Sequence, residues 1–593
     1  MPEAKEAMDF ADATDDNVIR ASIASAGKSA KFPYGYSIKN GLLMFAGGDD
    51  DPVIVSAAID VLAQTRDDLS ASWGLLLGWK DSDKHEHRWA MPMSLLAGEG
   101  NEIRATLLDR GCFLGQTKKA KDKLIDFLAA VKIETRARAV ERVGWTEEAF
   151  ALPDRTIGEN SGRYVIYQGP AAFDHQYRSS GDLKDWQDAV AKYGVGNSRI
   201  AVSISAAFVG PLLDLIGEEG GGLNLLGPSS IGKTTALNAG ASAWGPPSFV
   251  RQWRATSNGL EGVATQHNET FLCLDELGQL DPKEAGSVAY MLANGMGKAR
   301  ANRSGALKSP AHWRIMFLSS GEIGLADLAK QDGRGRRSAA GQQVRILDVE
   351  ADAGAGLGIF EALHGLTSAE LLARTIKDGA ATYYGTAGPA FVERVCKSRD
   401  AIGPALRRAI DRFVSDNLPA GADGQVSRAC RRFGLIASAG ELAARLGVLP
   451  WDAGEATKAA AMIFTRWVEG RGGAGAAEDR EAVAKVRSFL EAHGASRFEP
   501  IDRDNEAVDF KVINRAGFWR NVEGDREYLI LPGAWKDEVC AGMDAKRVAR
   551  VLADAGMLRV GNDNKPQIPT RLPGMNVVRC YIINASIFGD QDA

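Results

Sequence analysis

At 593 residues the chain is too long for one hydrophobic core, and several domains are expected. Its 45% hydrophobic and 25% charged residues make an ordinary soluble composition. A formal net charge of −5 excludes a global attraction to nucleic acid, so any polyanion must be met by local basic patches.

The six cysteines, Cys112, Cys273, Cys396, Cys430, Cys540 and Cys580, lie far apart with no C-x-x-C pair. This argues against a zinc ribbon and a disulfide framework, and fits reduced thiols in a cytoplasmic protein. No signal peptide is legible. Residues 1–30 read as a disordered acidic tail.

Residues 31–195 read as a mixed α/β N-terminal domain. Ser72–Trp79 suits a strand and His85–Met91 its return. Glu102–Arg110 and Lys118–Val131 suit helices, and Gly144-Trp145 through Pro153 suits strand and turn. His85 and His87 would share a strand face, but no Cys/His cluster joins them, so a polar hairpin end is expected.

Residues 196–358 read as the nucleotide-binding core. Ile200–Ile216 is the most apolar long stretch; Pro211 and Asp214 interrupt it, and it is too short to span a membrane comfortably. A single buried helix is expected there. Leu223–Leu226 suits a buried strand. It runs into Gly227-Pro228-Ser229-Ser230-Ile231-Gly232-Lys233-Thr234, which reads G-x-x-x-x-G-K-T, and then into helix-forming Thr235. In that setting the loop's N–H groups and the helix N-terminus point at phosphate oxygens. Lys233 would reach the β- and γ-phosphates, and the Thr234 hydroxyl would ligate Mg²⁺. ATP and Mg²⁺ are the expected cofactors.

Thr270-Phe271-Leu272-Cys273-Leu274 is a second buried strand, ending in Asp275 and Glu276 at the edge where ligands bind. Asp275 would hold Mg²⁺ and Glu276 would polarise the attacking water. Trp313–Ser320 reads as a further core strand whose terminal Ser319 or Ser320 would touch phosphate or water. Between Glu284 and Glu322 there is no acid, while Lys298, Arg300, Arg303, Lys308 and Arg314 are all basic. Asn302-Arg303-Ser304-Gly305 suits the tip of a DNA-gripping hairpin. Asp332–Arg337 reads as a mobile basic loop, followed by strand-like Gln342–Asp348. Arg345 is placed there as an arginine finger for a neighbouring subunit's site.

Residues 359–470 read as a helical lid, with helices over Ser368–Lys377, Ala390–Asn417, Gln425–Leu446 and Ala453–Glu469. Ser368 and Asp452 suit N-caps and Gly447 a C-cap. Arg431-Arg432 would supply a second sensor, with Arg432 near the nucleotide. Residues 471–478 form a glycine-rich linker. Residues 479–593 read as a winged-helix-like C-terminal domain. Its candidate recognition helix runs from Asp544 to Ala555 and carries Lys546, Arg547 and Arg550 towards DNA. Asn562–Lys565 is placed as the turn of the wing and Val577–Ile583 as its return strand.

The segments G-P-S-S-I-G-K-T-T, R-Q-W-R-A-T-S-N-G-L-E-G, F-L-C-L-D-E-L, N-G-M-G-K-A-R and L-S-S-G-E together resemble the domain of unknown function numbered 927, which occurs in phages and mobile genetic elements. G-W-T-E-E-A-F-A-L-P-D and R-R-F-G-L-I-A-S-A-G-E-L-A fit it too, and the resemblance runs from about residue 35 to the end. Members are similar to AAA+ replicative helicases of the minichromosome-maintenance type. The resemblance implies a ring, an ATPase site between subunits and a pre-sensor hairpin in the channel. A homohexamer is expected because an arginine finger needs a neighbour, and the expected partner is single-stranded or forked DNA, with no membrane. Serine stands at the sensor position where many AAA+ proteins carry asparagine. Some relatives carry a zinc-binding primase module; this chain lacks those cysteines, so priming is not expected. The expected fold class is α/β, a P-loop AAA+ core with helical lid and flanking domains. An ATP-dependent DNA helicase is the reading. A protein-remodelling or DNA-translocating ATPase and a nucleotide-dependent binding switch are the alternatives.

Overall fold

The computed structural model describes residues 30–47, 51–67, 70–158, 164–168, 175–298, 300–301, 307–308, 310–331, 345–471, 473, 477–501, 512–561 and 565–589. The acidic tail as far as residue 29, the hairpin tip with Arg303, the basic loop at 332–337 and Asn562–Asn564 lie outside them.

The N-terminal region is mixed α/β. Its five-stranded sheet has the order Tyr164–Tyr167, Arg136–Val140, Asp60–Arg66, Gly74–Lys80, Glu86–Pro92. Helices Asn101–Asp109 and Lys118–Ala130 bury Leu107, Leu124 and Phe127 in one core with Leu75 and Leu77. His85 and His87 turn towards Asp81, with His87 Nε2 2.8 Å from its carboxylate. Among the described residues no group of three or more His, Cys, Asp or Glu is placed to hold a metal.

The core begins with α1 (Ser198–Ala206) and α2 (Gly210–Ile216). The single helix expected over Ile200–Ile216 is therefore two, bent by 62°. The reason is Pro211, whose ring clashes with the carbonyl four residues earlier. That carbonyl, Ala207 O, instead accepts from Trp244 Nε1 at 2.7 Å. No single described helix is long and apolar enough to cross a membrane, and this bent pair is almost wholly buried.

There follow β1 (Gly221–Leu226), α3 (Lys233–Ala241), β2 (Val250–Gln252), α4 (Ser257–Gln266), β3 (Phe271–Asp275), α5 (Pro282–Asn294), β4 (Met316–Gly321), α6 (Leu325–Lys330) and β5 (Ile346–Glu350). The five strands are all parallel, in the order β2-β3-β4-β1-β5. Such a sheet is buried on both faces, which is why these strands read as apolar runs. Leu223, Leu225, Cys273, Leu318 and Val349 join the core shared with α1 and α3. Leu272, Leu274, Phe317 and Ile346 join the opposite core, with α4 and α5.

The helical region holds α7 (Ala369–Thr382), α8 (Ala387–Cys396), α9 (Arg399–Asn417), α10 (Gly424–Arg445) and α11 (Glu455–Gly470). Ser368 caps α7 as expected, accepting from Leu371 N at 3.1 Å. Ala390–Asn417 is broken at Ser398, which lets Arg399 place its guanidinium 4.3 Å from the Trp145 ring. Asp452 does not cap α11; Glu441 of α10 accepts from Gly454 N and Thr457 N, each at 2.9 Å. In the C-terminal region, Ala545–Asp554 is a helix capped by Asp544 and followed by Gly556 at φ +69°. The turn that returns into Val577–Ile583 lies between Arg571 and Val577, not at Asn562–Lys565, because Ile568–Arg571 pairs with that strand.

The N-terminal region is stapled to the amino ends of β3 and β4. Buried Glu269 accepts from Trp145 N at 2.6 Å and from Arg314 Nη1 at 3.1 Å. Asn268 donates to Val143 O and accepts from Arg314 N at 2.9 Å. Gly144, at φ +112°, admits the Glu269 carboxylate where a Cβ would collide with it. Gly144→Ala should therefore destabilise the protein by about 2–4 kcal/mol. Gly262→Ala, at an exposed position of α4 with nothing within 4 Å, should stabilise it by about 0.4–1 kcal/mol. Thermal unfolding of the two variants beside the parent checks the pair; equal midpoints would mean the staple carries no load.

Candidate phosphate-binding and acid-pair site

Ligands of open parallel sheets bind beyond the carboxyl ends of the strands, where the strand order reverses. Here that is the edge formed by β1, β4 and β3. The loop Gly227–Gly232 leaves β1 at this edge and enters α3. Gly232 and Ser230 have φ of +107° and +66°, the tight turn the motif needs. Lys233 is buried and donates Nζ to Gly227 O and Pro228 O, each at 2.7 Å, so its ammonium is held inside the loop. Ser229 donates to the carboxylate of Glu322, just beyond β4.

Asp275 ends β3 and Glu276 follows it at φ +63°. A left-handed backbone costs a side-chain-bearing residue about 1–2 kcal/mol. The strain sits at the residue expected to polarise water. Ser320 of β4 donates its hydroxyl to Asp275 Oδ1 and accepts from Glu276 N at 3.2 Å, linking both acids to the central strand.

The two serines part company. Side chains alternate along a strand, so Ser320 shares the α3 face of the sheet and Ser319 the other. Ser319 is fully buried and accepts from Trp253 Nε1 at 2.8 Å. It anchors Trp253 and does not reach the phosphate loop. Asn224 of β1 lies beside Ser319 in register and donates to Asp348 of β5 at 2.7 Å.

The paired roles expected of Arg345 and Arg432 meet a geometric limit. Half-buried Arg432 donates to Gly220 O at 3.3 Å and to Arg345 O at 3.0 Å, at the amino end of β1. The strand separates it from Lys233 by about 3.3 Å per residue. Burial pushes the Arg432 guanidinium down to about 10. Arg432 thus clamps the far edge of the sheet and is not brought to this chain's phosphate loop. Arg345 lies at that same edge, its guanidinium 4.3 Å from the Tyr290 ring.

The residues present fit Mg²⁺ and a nucleotide. Thr234 and Asp275 would offer it hard oxygen ligands, and Mg²⁺ takes few protein ligands beside water and phosphate. Thr235 Oγ1 is buried with no hydrogen-bond partner, a donor at the first turn of α3. Of the basic cluster, Arg300–Ala301 and Leu307–Lys308 form an antiparallel pair, with Arg300 opposite Lys308. Lys298 is exposed before it, and Arg303 lies outside the described residues. In the C-terminal helix Lys546, Arg547 and Arg550 are exposed, and Arg547 pairs with Asp479 at 3.0 Å.

Trp253, Asn224, Glu322 and Asp348 were not foreseen as members of this site. Trp253 and Glu322 stand just past strand ends, a place common to turns, while Asn224 and Asp348 are polar residues inside largely apolar strands, and nothing local marks either as part of a site.

The sheet and its loop define a mixed α/β protein with a P-loop-like core. Residues 38–312 match the family described as "Domain of unknown function (DUF927)". That match takes in the phosphate loop and both acids and stops before β4. Among solved structures the chain is similar to that of "SCCmec type IV Cch - active helicase", with a TM-score of 0.68 and 18% sequence identity, over 94% of this chain and 99% of that one. At that identity the likeness is one of fold. No curated protein matches the chain.

Asp348 gives a pH test of this polar row. Burial pushes its carboxyl from 3.8 up to about 6. The folded protein therefore holds a proton there that the unfolded chain releases, and stability falls as pH rises from about 4 to about 6. Asp348→Asn keeps an acceptor and removes the charge. Its unfolding temperature relative to the parent should rise across that window, by up to about 3 kcal/mol of stability. A difference constant with pH would mean that Asp348 is ionised throughout.

Proposed function

We propose that the chain is an ATP- and Mg²⁺-dependent DNA helicase of a phage or mobile genetic element. It works as a homohexameric AAA+ ring resembling minichromosome-maintenance helicases. The observation that carries the reading is the meeting, at one sheet edge, of the Lys233 loop and the Asp275–Glu276 pair, with Ser320 hydrogen-bonded between the acids. Asp275 and Thr234 hold the ion, and Glu276 orients water. The likeness in fold to an active helicase supports strand separation over the alternatives of protein remodelling or a binding switch. Arg345 would act on a neighbour's site, at an edge its own site does not use. The 359–470 region serves as the lid. The helix carrying Lys546, Arg547 and Arg550 and the hairpin after it make a winged-helix DNA contact.

Lys233→Ala should abolish nucleotide hydrolysis and weaken binding, because the phosphates lose their counter-charge. Glu276→Gln should bind ATP and stop turnover. Strand separation of a forked duplex with ATP should be seen for the parent and for neither variant. Turnover at the parent rate in Glu276→Gln would remove Glu276 from the chemistry, and a parent that hydrolyses ATP without separating strands would favour remodelling.

The pairing of Arg300 with Lys308 supports a basic finger that grips single-stranded DNA. Each phosphate neutralised contributes about −0.7 to the log–log salt slope. Lys298→Ala/Arg303→Ala should flatten the slope of single-strand affinity, abolish unwinding and keep basal ATPase. An unchanged slope with normal unwinding would make the cluster a solvated loop.

A further inference from the structure

A second glycine-rich segment lies at the same sheet edge. Asp352-Ala353-Gly354-Ala355-Gly356-Leu357-Gly358 follows β5, the strand that flanks β1. Gly354, Gly356 and Gly358 have φ of +77°, +73° and +63°. Glycine adopts that backbone without strain. Ala351 N donates to Leu226 O at 2.8 Å, carrying the ladder to the residue before Gly227. Ala353 N donates to Gly358 O at 2.7 Å and closes the segment on itself. Ile359 N then donates to Ile231 O at 2.9 Å. A Cβ at Gly358 would stand 2.6 Å from Ile231 O, and one at Gly232 2.5 Å from Ile359 Cγ2. The two loops therefore touch back to back, with no room for a methyl between them.

Two arginines hold the second loop. Buried Arg199 of α1 donates to Glu350 O at 3.1 Å and to Asp352 O at 2.9 Å. Arg466 of α11 donates Nη1 to Asp352 O at 3.3 Å, and its Nη2 lies 2.9 Å from where a Cβ on Gly354 would be. α11 is the helix that leads into the C-terminal region.

We infer that Arg466 is a positioning residue for nucleotide binding: it sets the 352–358 loop, which in turn shapes the phosphate loop at Ile231–Gly232. This rests on the ATPase reading above. An arginine acting through the loop alters the cradle for every phosphate ligand alike and leaves the hydrolytic groups in place. By linkage, nucleotide occupancy then biases the position of α11, and with it the C-terminal region.

The test compares the full-length parent with Arg466→Ala, Arg466→Lys and Gly356→Ala. Equilibrium affinities for Mg²⁺–ATP, Mg²⁺–ADP and Mg²⁺–tripolyphosphate are read beside KM and kcat. Arg466→Ala should weaken all three ligands in parallel by about tenfold and raise KM to match, with kcat unchanged. Arg466→Lys should restore part of the loss. Gly356→Ala puts a Cβ where nothing lies within 4 Å and perturbs only the loop's backbone, so it should act in the same direction. Parent-like affinities in Arg466→Ala and Gly356→Ala overturn the inference. So does a loss confined to ATP and ADP, which would put the loop at the base, or one confined to ATP and tripolyphosphate, which would put Arg466 at the terminal phosphate. A parent that binds none of the three overturns the ATPase reading itself, and is recognised before any variant is compared.

Discussion

The parallel register of β1 between β4 and β5 is the constraint on which the rest depends. Asn224 stands opposite Ser319 on one side and Asp348 on the other. A shift by one residue would turn every side chain to the opposite face. Leu223 and Leu225 of β1 would then leave the core that α3 covers, Asn224 would lose Asp348, and the phosphate loop would start one residue away from its place beside the acid pair. Hydrogen-bond geometry between strands, more than any single contact, brings Lys233 and Asp275 to one edge.

The two edges of the sheet divide the work. At the carboxyl edge the backbone is strained at Ser230 and Glu276, and polar groups converge. At the amino edge Asn268, Glu269, Arg314 and Arg432 spend their hydrogen bonds on fastening segments together. Glu269 is raised by burial, and its bonds to Trp145 N and Arg314 are what keep a carboxylate acceptable there. An unpaired charge at such a depth would be costly. A rigid base is what allows strain to persist at the opposite edge, since strained residues survive only where their surroundings over-determine them.

Much of the site was legible because its chemistry is local. Glycines that turn the chain, a lysine that follows them and acids that end an apolar strand occupy fixed positions relative to one another. Ser319 and Ser320 could not be told apart that way, for which face each takes depends on how β4 pairs with both neighbours. Arg432 was misplaced because a basic residue on a helix carries no mark of which sheet edge the helix crosses. The capping of α11 by Glu441 was invisible for the same reason: the acceptor comes from another helix. Pro211 interrupts the apolar stretch, yet a single helix was expected across it, and nothing near it in the chain marked Trp244 as the donor to the freed carbonyl.

The sequence by itself determined the order of strands and helices, the phosphate loop and the acid pair, because periodicity, glycine and proline act through the nearest few bonds. Tertiary structure alone decided which serine faces the acids, that Arg432 clamps the far edge, and that a second glycine loop presses on the first. Each of these depends on the packing of residues distant in the chain, and such contacts are set by strand register and helix crossing, for which no neighbouring residue carries a signal.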